Sequence, residues 1–481
     1  MLSARTTFAR CALAAFLAAN AACSGGGSST PPAGPPPLTA AEIAVLLDDL
    51  EQRTFEYFWA STNPATGLTP DRYPTPAPSS IAAIGFALTA YPIGVERGYV
   101  ARADAATRVL TTLQFLNAAP QGAAASGMAG YHGFFYHFLD ASTGVRYQTS
   151  ELSTIDTALL MAGVLFAGSY FDGSSADEVA LRSLADGLYR RVDWAWAADT
   201  SGLVALSWSP ESGFNPLGWR GYNEAMILYV LGLGSPTSPL PPSAWQAWSA
   251  SYAPLWQTQY GQTFLTFPPL FGHQYSHVWI DFRGIQDAYM HGKGSDYFIN
   301  SRAATYAQQA YAIANPLQWR DYGAQLFGLT ACDGPGNFTL TYNGQPRTIY
   351  AYTARGMGGA ATNDDGTVAP TAAISSIPFA PEIVLPALQQ METHYGSNLY
   401  STYGFLDAFN PSIPDGTSVT AGHVVTGRGW FDTDYLGIDQ GPIIAMAENY
   451  RSELIWRTMR SNPYIRSGLT SAGFSGGWLT Q

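Results

Sequence analysis

The chain alternates two kinds of helical segment, and this alternation constrains its fold more than any other feature. Ser80–Ile93, Ser153–Ala167 and Asn223–Leu233 are apolar on every side. Asp104–Ala118, Ala176–Ala195 and Tyr297–Ala314 carry an apolar stripe and a polar face. A helix apolar all round must be buried all round, whereas an amphipathic one needs only one covered face. Two concentric rings meet both demands, with the apolar helices inside. The periodicity predicts further helices over Ala40–Ala60, Ser243–Tyr260, Ser276–Ile285, Asp321–Thr330, Ala369–Met391 (bent at Pro378 and Pro381) and Ile438–Trp456. Twelve segments suit an all-α (α/α)6 toroid with long loops on one face. No fixed-length repeat marks a solenoid.

In such a toroid the inner helices run the same way, so the residues at their N-termini share a rim. Those stretches are rich in aromatics, carboxylates and arginine. They supply Trp219, Arg220 and Tyr222 at one helix, and His273, His277, Trp279, Asp281 and Arg283 at the next. Trp319, Arg355, Trp430, Tyr435 and Gln440 precede or open later ones. All thirteen are expected substrate contacts. Composition narrows the substrate. Only 12% of residues are charged, the net charge is −12, and Lys293 is the single lysine. A basic footprint for nucleic acid is missing, and no G-K-[ST] phosphate loop exists. Aromatics make up 14%, with 13 Trp and 28 Tyr. Sugar rings stack on such faces, so a neutral polyhydroxyl ligand fits, although a large aromatic core must absorb most of these residues.

Residues 1–22 read as an export signal: Arg5 and Arg10 are followed by an apolar stretch, Cys11–Ala19, too short to span a bilayer. Cys23 follows two alanines, as in a lipidation site, although Asn20 stands where such sites usually carry Leu. Residues 23–39 form a Gly/Ser/Pro-rich tether. The expectation is a periplasmic or outer-membrane lipoprotein, held to the membrane only by this anchor. The alternative is a soluble secreted protein. Residues 40–481 are expected to form one domain, monomeric and without cofactor. Cys332 alone remains there, so no disulfide forms within it.

Glycoside hydrolysis needs one carboxylic acid to protonate the leaving oxygen and a second carboxylate opposite it. Glu224 is the acid candidate. It opens an apolar helix (Met226, Ile227, Leu228), where burial raises a carboxyl pKa. Asp439, in Gly437-Ile-Asp-Gln-Gly-Pro442, is the base candidate, with Asp156 and Glu151 as alternatives. An Asp inside a segment as apolar as Leu152–Phe166 requires a partner, expected in Arg220, Arg283 or substrate. His273 and His277 have the spacing of two zinc ligands, but no H-E-x-x-H pattern surrounds them, and sugar binding or packing is expected instead. Gly473-Phe-Ser-Gly-Gly477 fits G-x-S-x-G, yet four residues remain after it, too few for a triad.

Three separated motifs resemble the glycoamylase-like family, which includes the bacterial β-1,2-glucanases of glycoside hydrolase family 144. They are Glu151-Leu-Ser-Thr-Ile-Asp156, Gly221-Tyr-Asn-Glu224-Ala-Met, and Gly437–Pro442 with Glu448-Asn-Tyr450. The resemblance runs from Leu46 to Phe474. It implies an (α/α)6 barrel, an inverting mechanism and a β-1,2-glucan substrate, cut internally or, alternatively, trimmed to sophorose from a chain end. Glu224 matches the position of the expected acid; Asp439 is carried over as base with the alternatives above still open. Transglycosylation, α-glucan hydrolysis, a lyase on the same architecture and an inactive glycan-binding lipoprotein are competing readings. A blocking loop that would separate endo from exo action is expected around Gly334–Thr367.

Overall fold

The computed structural model describes residues 38–480. The export signal, Cys23 and most of the tether lie outside them. Leu38–Gln481 clusters as one compact unit, and among the described residues no helix is long and apolar enough to cross a membrane.

Fifteen α-helices are found among the described residues, in chain order: α1 (Ala40–Ser61), α2 (Ile81–Arg97), α3 (Arg102–Ala118), α4 (Thr154–Tyr170), α5 (Ala176–Arg191), α6 (Met226–Gly234), α7 (Ala244–Ser249), α8 (Tyr275–Trp279), α9 (Ala288–Lys293), α10 (Tyr297–Ala314), α11 (Pro370–Ile374), α12 (Pro381–Tyr395), α13 (Gly437–Ser452), α14 (Leu454–Arg460) and α15 (Pro463–Ser471). The loops between them carry strands of two to five residues, paired mostly as hairpins. The body is therefore helix-rich rather than purely helical.

The helices apolar on every side are those that pack on both neighbours. α2 lies against α4, α4 against α6, α6 against α8, the turn Leu270–His273 before α8 against α11, α11 against α13, and α13 back against α2. These six follow one another in a closed cycle. α13 also packs on α8, which in turn touches α6. The amphipathic helices lie outside: α1 on α2 and α13, α3 on α2 and α5, α5 on α4, α12 on α11, α15 on α6. The α2–α4 contact is backbone on backbone. A Cβ on Gly163 would lie 2.0 Å from the Gly85 carbonyl oxygen, and one on Gly85 would lie 2.6 Å from the Leu159 carbonyl oxygen. Only glycine permits this approach.

Several predicted helices change form. Ser243–Tyr260 keeps only α7, and Trp256–Gln259 pairs with Gln262–Leu265 as a hairpin. Tyr260-Gly261, both at positive φ, supplies the turn. Asp321–Thr330 forms no helix; Asp321 and Gly328 both sit at positive φ, which breaks helical backbone. Ala369–Met391 splits into α11 and α12, with Pro381 at the first position of the second. Ile438–Trp456 splits at Glu453, which adopts left-handed backbone between α13 and α14.

Candidate active site

Short strands deliver the chain into α2 and α4 with their N-termini capped. Ser80 accepts a bond from the Ala83 N–H at the start of α2. Ser153 accepts from the Asp156 N–H at the start of α4, and its hydroxyl donates back to the Asp156 carboxylate. At α6 the side chain of Asn223 accepts from the Ala225 N–H. Ser276 on α8 donates to the Glu224 carbonyl and accepts from the Ile227 N–H. Glu224 is thus fixed on the turn just before α6.

These starts converge on a cavity of about 140 Å³ lined by Asp156, Glu224, Phe271, Tyr275, Tyr352 and Ile438, among others. Glu224 is half-buried as a residue, but its Oε2 is shut from solvent and has no hydrogen-bond partner. Burial, with the nearby Asp156 charge adding to it, raises its pKa to about 7. A carboxyl of this kind is still substantially protonated at neutral pH, and it lines the cavity.

Asp439 opens α13. It is 3% exposed. Burial pushes its pKa up to about 7, and the bond it accepts from Asp407 offsets only part of that rise. Burial and the Asp439 charge push Asp407 far up, so Asp407 is the member that keeps the proton and donates it to Asp439. Behind this pair, Asp407 accepts from the Asp333 N–H at 2.7 Å. Arg72 reaches Asp333 at 2.5 Å and Asp434 at 3.7 Å. Carboxylate oxygens of Asp333, Asp407 and Asp432 lie within 4.8 Å of one another, close enough to share a cation.

The expected partner of Asp156 is neither Arg220 nor Arg283. It is Ser153, with His137 Nε2 at 3.7 Å. The other nitrogen of His137 meets Glu151 at 2.8 Å. Burial works against a charge on His137, but Asp156 and Glu151 outweigh it and carry the pKa to about 9. For Glu151 burial likewise opposes ionisation, and the bond from His137 prevails, so its pKa is lowered. Sequence reasoning missed His137, although a buried Asp in an apolar helix signalled that a cation had to be near.

The expected aromatic and charged rim is largely core. Tyr222 is 2% exposed and bonded to His273 Nδ1 at 3.1 Å, while His273 Nε2 meets the Phe267 carbonyl. His277 bonds Ser301. Burial lowers both histidines to about 3, so they pack as neutral rings. Trp279 stacks on Phe86 and donates to Thr89, filling the space between α8 and α2. Asp281 and Arg283 pair with each other and with Arg460 and Glu453. Arg355 and Asp365 form an ion pair that is 0% exposed on both sides. Trp319 packs on Tyr342, Trp430 donates to the Ala421 carbonyl, and Gln440 donates to the Phe405 carbonyl. These ten do not reach the cavity. Trp219 stays half-buried, with its indole N–H on Thr154 at the start of α4, and Arg220 is exposed beside it. Tyr435 lines a separate groove. Tyr352, from the expected blocking insert, is 56% exposed and lines the cavity; no sequence signal distinguished it from the other tyrosines.

Comparison with known proteins identifies the family and the fold. Residues 216–463 match the Glycoamylase family model, described as "Putative glucoamylase". A crystal structure carrying the same description, from Bacteroides uniformis, is 32% identical, covers 92% of this chain and 99% of its own, and has a TM-score of 0.78. The endo-β-1,2-glucanase of Chitinophaga pinensis, solved with sophorotriose and glucose, is 28% identical over 91% of this chain and 99% of its own, again at 0.78. An exo β-1,2-glucooligosaccharide sophorohydrolase (non-reducing end) of Parabacteroides distasonis is 28% identical over 459 residues, 88% of this chain. The chain spans 57% of the length of that relative. With half the sequence matched by one family model and the solved fold shared over nearly its whole described length, the chain belongs to the glycoamylase family.

Proposed function

We propose that the protein hydrolyses β-1,2-glucan on an (α/α)6 toroid, by inversion, with Glu224 as general acid and Asp439 as general base. The observation that carries the reading is the Glu224 carboxyl: protonated near neutrality, facing a cavity, with one oxygen unpartnered. The closed cycle of inner helices supports the toroid. Inversion is the mechanism the family likeness implies. A water then needs room between the two carboxyls: inverting pairs stand ~6.5–9.5 Å apart. Glu224 gives its proton to the bridging oxygen, which leaves as the 2-hydroxyl of the departing glucose unit. Asp439, in its ionised form, takes a proton from the water that attacks the anomeric carbon from the opposite face; the bond from Asp407 offsets part of the rise that burial imposes on its pKa. The product carries the α configuration. Asp156 and His137 hold the neighbouring wall, and Tyr352 offers its open ring to a sugar face.

Endo-action is the reading supported by the likeness to the endo-β-1,2-glucanase, with exo-action, supported by the likeness to the sophorohydrolase, as the alternative. We place the protein outside the cytoplasm as a monomeric lipoprotein anchored at Cys23. Loss of fatty-acid labelling on Cys23→Ser tests the anchor. The activity is tested by incubating residues 24–481 with linear β-1,2-glucan, alongside Glu224→Gln. Mixed oligosaccharides from the wild type and none from the variant are expected. Sophorose alone makes the enzyme exo-acting; an untouched glucan leaves the inactive binding protein as the better account.

A further inference from the structure

A second concavity, lined in part by Tyr435 at the entry to α13, shares no lining residue with the Glu224 cavity. It is a groove of about 340 Å³, at the lower end of the range for small-molecule sites. Tyr73, Tyr403 and Tyr435 form one side of it. Tyr73 pairs with Tyr435 across two short strands, the Tyr73 and Tyr403 rings meet edge-on at 5.6 Å, and Tyr403 meets Tyr435 at 5.4 Å. Tyr73 is 42% exposed. An exposed aromatic ring held by two others is a preset platform rather than core. The remaining lining is mostly neutral and hydroxyl- or amide-bearing, including Asn398, Thr402 and Thr433. It contains no lysine or arginine; His423 and the buried Asp432 are its titratable members besides the tyrosines. The groove is continuous with the candidate site along the chain. Two residues, Leu436 and Gly437, separate Tyr435 from Ile438, which lines the Glu224 cavity, a reach of at most ~10 Å.

We propose that this groove is a distal subsite that stacks a glucosyl unit of the same glucan chain on Tyr73 and Tyr403, several units from the bond being cut. The inference rests on the glucan-hydrolase reading above and adds to it the residues that favour long substrates. Stacking on an open ring strengthens binding by a modest factor, and only for chains long enough to reach it.

The experiment compares wild type, Tyr73→Ala and Tyr73→Phe on β-1,2-glucooligosaccharides of increasing length. For Tyr73→Ala, the ratio of kcat/KM on long chains to that on the shortest cleaved chain should fall roughly five- to tenfold, through KM. Tyr73→Phe, which keeps the ring, should retain the wild-type ratio. A ratio unchanged in Tyr73→Ala, or lost equally in Tyr73→Phe, overturns the subsite. A second arm separates this from the hydrolase reading. Calorimetric titration of Glu224→Gln with a long oligosaccharide, with and without Tyr73→Ala, should show the same weakening. If the wild type cuts nothing but this weakening is seen, the hydrolase reading fails and the subsite stands. If the titration shows no weakening, the subsite fails whatever the activity.

Discussion

The proton on Glu224 sets how activity should vary with pH. Raising its pKa from 4.5 to about 7 favours the protonated form by about 3 kcal/mol. The general acid works only while protonated. The alkaline limb of kcat/KM should therefore bend near pH 7 and fall about tenfold for each further pH unit. Burial is the larger cause of the rise and the Asp156 charge the smaller. Asp156→Asn removes the charge while keeping the shape and the bond from Ser153. It should move the alkaline limb down by ~1 pH unit or less, leaving it above the ordinary glutamate value because burial persists. The assay is reducing-sugar release from a β-1,2-glucooligosaccharide across pH 4–10, with circular dichroism at each pH to exclude unfolding. A wild-type limb below about pH 5, or an Asp156→Asn limb that stays put or rises, would refute the assignment of that proton to Glu224.

Other consequences follow from the packing. Gly163→Ala drives a Cβ into the Gly85 carbonyl and should destabilise by ~1–3 kcal/mol or more, read by urea denaturation; a neutral result would mean that α2 and α4 are not in backbone contact. Arg355→Met leaves Asp365 buried without its partner and should cost ~3–5 kcal/mol, with little change in KM if the protein stays folded; a selective KM defect would restore Arg355 to the substrate site. His137 has a pKa raised from 6.5 to about 9, so its pairing with Asp156 and Glu151 stabilises fully below about pH 6.5 and is lost as pH rises through 9. The contribution is about 3 kcal/mol, and the Tm gap between wild type and His137→Gln should narrow between pH 6 and pH 9.5. A constant gap would contradict that pairing.

The inner helices were legible because burial on all sides leaves a mark in every residue: Ile81–Arg97 and Thr154–Tyr170 fall within a few residues of their predicted bounds. The cap on α4 was legible too, since Ser153 stands where an N-cap belongs. Glu224 and Asp156 were found for the same reason, as carboxyls that apolar surroundings make conspicuous. The rim was not legible. Tyr275 and Trp279 lie one turn apart on α8, yet Tyr275 lines the cavity and Trp279 is buried against Phe86. Nearness to a helix start therefore does not say on which side of the first turn a ring falls. His137, Asp407 and Arg72 come from loops whose positions depend on pairings between distant segments, such as Arg72 with Leu436, which no local pattern records.

The central claim is hydrolysis of a β-1,2 linkage with a water admitted between Glu224 and Asp439. Proton NMR of the first minutes of reaction on linear β-1,2-glucan tests it most directly. The account predicts that the α-anomer of the new reducing end emerges first and then mutarotates. A β-anomer emerging first would place a covalent intermediate on one of the carboxylates, and no new reducing end at all would remove the reaction itself.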